Sequence, residues 1–136
     1  MSHENVEAVR RAIEAFIEGR LDEALGLYHS DVEWHTAADE PDALRPYRGL
    51  EGLAQLLETW GDIWAEGFES AVQFDEFVDA GQHVVVPVHG RLRGRTSGVE
   101  VEVPETWVFS FRGDKVAEVR EYRTTGEALE AVGLSE

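Results

Sequence analysis

The stretches QHVVVPVHGRLRGR at 82–95 and VEVEVPETWVFSFR at 99–112 decide how this chain is built. In the first, Val84, Val86, Val88, Gly90 and Leu92 fall on one face of an extended backbone, and Val85, Pro87, His89, Arg91 and Arg93 on the other. In the second, Val99, Val101, Val103, Glu105, Trp107, Phe109 and Phe111 share a face. A period of two with one apolar side marks a strand buried on that side. A loop at Arg95–Gly98 predicts Gly94 opposite Val99. Leu92 then lies beside Val101, Gly90 beside Val103, Val88 beside Glu105 and Val86 beside Trp107. The same register sets Arg93 against Glu100 and Arg91 against Glu102, so opposite charges meet on the outer face. A slip of one residue would bury those charges. Glu105 is left as an acid on an otherwise apolar face.

Outward from this pair, further strands are expected at 69–79 and 115–123, punctuated by Gly81 and by Gly113-Asp114. On the last strand, Ala117, Val119, Glu121 and Arg123 alternate with Val116, Glu118, Arg120 and Tyr122. The N-terminal half follows a helical period instead. Val6, Val9, Ile13, Phe16 and Ile17 form the apolar stripe of a helix over 4–18, with Ser2 as N-cap and Gly19 as its stop. Leu21–Tyr28 reads as a short second helix, 31–35 as a short strand and 36–48 as loop. A third helix over 50–64 carries Leu53, Leu56, Leu57, Trp60 and Trp64 on one side. A short helix over 127–132, stopped by Gly133, ends the pattern. Helices followed by an antiparallel meander imply an α+β domain.

The chain has 136 residues, which suits one domain spanning 1–136 with room for a core and a cavity. It has no cysteine, which excludes disulfides, thiolate nucleophiles and thiolate metal sites. Its histidines, His3, His29, His35, His83 and His89, show no i, i+4 metal spacing, so no metal and no cofactor are expected. A net charge of −16 disfavours phosphate backbones and anionic membranes as partners. There is no apolar run long enough to span a bilayer, and MSHENVE has neither the basic nor the apolar region of a signal peptide, so a cytoplasmic protein is expected.

Several motifs together resemble a known family. They are YHSDVEW at 28–34, YRGLEG at 47–52, GDKV at 113–116 leading to Glu121-Tyr122, and the tail EALEAVGL at 127–134. The chain resembles the nuclear-transport-factor-2-like superfamily in its SnoaL-like, ketosteroid-isomerase-like branch. The resemblance implies a cone: a strongly curved antiparallel sheet packed on three N-terminal helices, an α+β barrel with an internal pocket. Many relatives are homodimers through the outer sheet face. Relatives with isomerase activity carry a tyrosine and two aspartates at positions that hold Ala12, Thr36 and Trp107 here, so that mechanism is not expected. A dehydratase-like histidine pair is a poor match, because His35 and His89 face outward by parity. Glu105, Glu121 and Arg123 supply the charge types of the epoxide-hydrolase group, but not its spacing.

The resemblance makes the face of Ala117, Val119, Glu121 and Arg123 pocket-facing. Glu121 is then a candidate acid/base, with Arg123 as its oxyanion or carboxylate partner; the alternative is an ordinary ion pair at the sheet edge. Glu105 is a further candidate catalytic acid, or a solvated group at the cone mouth. Tyr28, Trp34, Thr36, Trp60, Trp64 and Trp107 are candidate ligand-binding residues that line the cavity, or pack it. Buried indole N–H groups need acceptors, for which Thr36, Glu105 and Glu121 are available.

Two functions remain open. One is a pocket protein, with cofactor-free isomerase, cyclase, dehydratase or hydrolase chemistry on a small, mostly apolar, oxygenated metabolite. The other is a non-catalytic dimeric ligand-binding or accessory module. A void of roughly 300 Å³ or more reaching Glu121 favours the first, and a packed cone the second. A homodimer is expected through Val85, Pro87, Thr106 and Val108, taken as an uncovered face with apolar positions. The run Arg91, Arg93, Arg95 is neutralised by Glu100 and Glu102. Duplex DNA should therefore show no measurable affinity at physiological salt, since an acidic surface gains nothing from counterion release. Micromolar binding with a steep salt slope would overturn that reading of the arginines.

Overall fold

The computed structural model describes residues 2–18, 20–36, 46–63, 72–74, 76–94 and 96–134. Its elements are α1 (Ser2–Ile17), α2 (Leu21–Leu25), β1 (Tyr28–His35), β2 (Tyr47–Arg48), α3 (Gly49–Ile63), β3 (Val72–Phe74), β4 (Val78–Ala80), β5 (His83–Arg93), β6 (Glu100–Arg112), β7 (Lys115–Tyr122) and α4 (Thr125–Ala131). The strands form one curved, open sheet in the order β2-β1-β7-β6-β5-β3, with β4 also on β5. The fold is α+β as expected, but the sheet is neither purely antiparallel nor closed. β1 pairs with β7 in parallel. Two strands far apart in sequence can pair in either direction, and local periodicity carries no sign of which.

The β5–β6 register is the one the alternation requires. Val86 faces Trp107, Val88 faces Glu105, Gly90 faces Val103, Leu92 faces Val101, Arg91 faces Glu102 and Arg93 faces Glu100. Gly94 donates its N–H to Val99 at 2.9 Å, closing the hairpin where the loop length places it. The inward residues Val84, Val86, Val88, Leu92, Trp107, Phe109 and Phe111 join Val9, Ile13, Leu53 and Leu56 in the main core. Gly81 and Gly113 make the tight turns before β5 and β7 at φ 78° and 67°, a region that costs an L side chain.

Four local readings change. Tyr28 opens β1 rather than closing a helix, because the backbone there is captured by β7: Val116 N–H donates to the Leu27 carbonyl at 3.2 Å. The strand expected over 69–79 is two pieces on one edge of β5; residues 69–71 and 75 lie outside the described part. The break falls opposite Val86 and Pro87, and proline has no N–H to offer an edge partner. The segment 36–48 ends in β2, which pairs with β1. Helix α1 begins at Ser2 itself, and Gly19 lies outside the described residues.

The largest correction concerns the outer face. Val85, Thr106 and Val108 are buried, because α4 folds back over them. Ala128, Leu129, Val132, Val78 and Tyr122 complete this second, smaller core. The face expected to be uncovered is therefore covered, at these three positions, by the chain's own C-terminal helix. Thr124 caps that helix, accepting the Glu127 N–H at 3.1 Å. Thr124→Ala should cost about 1 kcal/mol, and Thr124→Gly only a few tenths. Urea midpoints test this; equal midpoints for Thr124→Ala and wild type would show that the cap contributes nothing.

Candidate functional site

The inner face of the sheet and the helical layer enclose an apolar pocket. Helices α1 and α2 contribute Ala12, Ile13, Phe16, Ala24 and Leu25, and α3 contributes Leu53 and Leu57. The sheet contributes Tyr28 and Trp34 from β1, Phe74 from β3, and Trp107 and Phe109 from β6. The enclosed part gives about 20 Å³ to the centres of water-sized molecules, inside an empty envelope of about 400 Å³ that opens to solvent. The deep part thus has room for one or two waters. Trp34 packs edge-on against Trp107, with centroids 5.2 Å apart, and against Phe109 at 6.2 Å. Phe74 meets Trp107 at 5.7 Å. These edge-to-face contacts set the rings at fixed angles.

Each indole is tied down by a carboxylate. Trp34 Nε1 donates to Glu121 Oε2 at 2.6 Å, and Trp107 Nε1 donates to Glu105 Oε1 at 3.1 Å. Two of the three acceptors foreseen for the indoles are the ones used. Strand pairing explains the first bond: Glu121 faces Trp107 across β6–β7, while Trp34 faces Val119 across β1–β7, one step away on the same inner face. Glu121 is 7% exposed and does not line the pocket; it stands behind the Trp34 ring. Glu105 is half-buried and likewise absent from the wall.

Arg123 lies past the end of β7 and is exposed. At the other end of β7 the register shifts between Ser110 and Phe111. Ser110 pairs with Glu118 and Phe111 with Val116, leaving Ala117 as the extra residue. Val116 is thereby turned inward, against the simple alternation. Thr36 is buried at the end of β1. Trp60 lies on α3 but its side chain is outside the described part, and Trp64 is outside the described residues. Tyr28 is half-buried against the core, and desolvation of the phenol raises its pKa above the ordinary tyrosine value.

One group had no sequence signal. Glu33, His35 and Glu118 each bring a potential ligand atom within 4.8 Å of the others on the outer face. His35 Nε2 is 3.2 Å from Glu33 and 3.7 Å from Glu118. The three come from neighbouring parallel strands, so no sequence spacing joins them. Arg120 holds both Glu118 oxygens, at 3.0 and 3.4 Å, and Arg48 lies 3.7 Å from Glu33. Those guanidiniums already balance the carboxylates, which makes the group a half-buried ion-pair network. Elsewhere on this face Arg91 pairs with Glu102 at 3.4 Å and His89 meets Gln73 at 3.2 Å. Among the described residues no helix is long and apolar enough to cross a membrane.

Comparison with known proteins follows this geometry. Residues 9–119 match the family described as the SnoaL-like domain. An NTF2-like protein from Burkholderia xenovorans LB400 is 26% identical, with a TM-score of 0.74 and 90% of each chain covered. A protein assigned as a SnoaL-like polyketide cyclase from Mesorhizobium loti is 18% identical at a TM-score of 0.60, covering 86% of this chain and 97% of that one. TerC, co-crystallized with polyporic acid, is 18% identical at 0.69, covering 95% of this chain and 98% of that one. A search of curated proteins found no match.

Two measurements probe the site. In a double-mutant cycle of Trp34→Phe and Glu121→Gln, the pair should couple by about 1 kcal/mol or more, because the bond is charge-assisted and buried. Additivity within about 0.3 kcal/mol would show that the bond contributes nothing. For Tyr28 the folded chain holds its phenol proton to higher pH than the unfolded chain does. Its contribution is complete below the unfolded pKa of about 10 and falls above it, by up to about 1.4 kcal/mol per pH unit. Urea midpoints between pH 9 and 11 should fall less steeply for Tyr28→Phe than for wild type.

Proposed function

The chain belongs to the SnoaL-like domain family, and from that premise we propose that it is a small-molecule binding protein whose pocket takes a mostly apolar, oxygenated ligand. One observation carries the reading: the pocket wall is built from apolar and aromatic side chains, with both polar ends of its indoles already engaged. A wall of that kind binds by excluding water and orients its ligand with few polar groups. Among the described residues the wall displays no carboxylate or guanidinium, which favours binding over acid–base chemistry there.

A second reading has one observation in its favour. Glu121 is a buried carboxylate one side chain away from the pocket, where a shift of Trp34 would bring it to a ligand. In that reading Glu121 is the acid/base of a cofactor-free proton transfer: isomerisation, cyclisation, dehydration or hydrolysis. Arg123, just past the end of β7, remains its proposed oxyanion or carboxylate partner. A homodimer is also proposed, now through the part of the outer face beyond α4. There Glu33, His35, Glu118 and Arg120 offer both signs of charge to a symmetric copy. Sedimentation at about 30 kDa supports the dimer, and only a 15.2 kDa species removes it.

The binding reading is tested with naphthalene as probe. A ligand that binds only the folded state raises Tm. Naphthalene should raise Tm and shift the tryptophan emission, and Leu57→Trp, which enlarges a half-buried residue of the wall, should abolish both effects while the protein stays folded. An unchanged Tm and emission for wild type up to the solubility limit would sink the reading.

A further inference from the structure

We propose that the Tyr28 hydroxyl is the specificity-determining group of the pocket, and that the ligand is neutral and presents one oxygen acceptor to it. This rests on the binding reading above and adds the ligand's chemistry. Of the lining side chains among the described residues, only those of Tyr28, Trp34 and Trp107 carry a nitrogen or oxygen. Both indole N–H groups point away to carboxylates, Trp34 to Glu121 and Trp107 to Glu105. The Tyr28 hydroxyl makes no hydrogen bond among the described residues. It is also not sealed off, since no fully buried side-chain nitrogen or oxygen there lacks a partner.

A hydroxyl that is not fully buried and has no protein partner among the described residues is satisfied by water or by a ligand. Desolvation keeps the phenol protonated through the physiological range, so it offers an O–H donor and suits a carbonyl, ether or hydroxyl oxygen. Among the described residues no lining side chain carries a formal charge, so a charged ligand would lose its hydration without compensation there. The net charge of −16 adds a further barrier to anions. Tyr28 begins β1, whose backbone is held by β7, so the oxygen is presented from the rigid side of the pocket.

The test compares acetophenone with ethylbenzene, which are near-isosteric and differ in one carbonyl oxygen. Binding is followed by tryptophan emission, with circular dichroism confirming the fold of Tyr28→Phe. Wild type should bind acetophenone about three- to tenfold more tightly than ethylbenzene, the range of one neutral hydrogen bond. Tyr28→Phe should erase that preference by weakening acetophenone binding. If wild type binds both probes equally, or if Tyr28→Phe keeps the preference, the assignment of Tyr28 is overturned while the binding reading stands. If neither probe binds, the binding reading itself fails, and this inference with it.

Discussion

A carboxylate in an apolar interior must be given donors, and that requirement organises the centre of this molecule. Glu121 sits on the inner face of β7, opposite Trp107 and one step from the residue opposite Trp34. The Trp34 indole supplies a hydrogen bond at 2.6 Å. The bond joins β1 to β7, which lie side by side in parallel, with β6 antiparallel on the other side of β7. The bond thus pins the parallel pairing of β1 with β7. Once Trp34 is held there, its ring meets Trp107 and Phe109 edge-on and closes the floor of the pocket. Glu105 does the same for Trp107, at the more exposed end of β6. Two acids that look like catalytic candidates in the sequence act, in the structure, as anchors for aromatic walls.

What the sequence made legible was local. The β5–β6 hairpin could be read pair by pair, because alternation, loop length and the match of Arg91 and Arg93 to Glu102 and Glu100 all constrain the same short segment. The family followed from motifs spread along the chain, and residues 9–119 carry it. The need of buried indoles for acceptors was also readable from residue types alone, which is why Glu105 and Glu121 were foreseen as their partners.

What stayed illegible depends on contacts between distant segments or on single-residue irregularities. The extra residue at Ala117 reverses parity at the start of β7, so Val116 turns inward where strict alternation sends it out. The parallel pairing of β1 with β7 assembles Glu33, His35 and Glu118, which no spacing rule connects. The return of α4 over Val85 and Val108 is a tertiary event: seven residues with a Thr124 cap do not announce where they will dock. Arg123 was assigned inward by extending the strand one alternation past its last paired residue, and there the backbone has already left the sheet.

The pocket's two walls are held by different kinds of force, and this divides their roles. The sheet wall is fixed by directional bonds: the ladders of β1, β6 and β7, and the two indole–carboxylate contacts. The opposing wall, Ala12, Ile13 and Phe16 of α1 with Leu53 and Leu57 of α3, presents only apolar side chains to the pocket. Apolar contact is non-directional, so a helix can slide or tilt over an aromatic floor at a cost set by exposed area. Helix α2, at five residues, is far shorter than a helix that persists without its tertiary contacts. The enclosed space of about 20 Å³ cannot hold an organic molecule without widening. In the proposed binding reading the widening comes from the helical side, because moving the floor would break the Glu121–Trp34 bond and leave a buried carboxyl short of a donor. In that reading the helices therefore limit ligand size, and the sheet, through Tyr28, Trp34 and Trp107, orients the ligand.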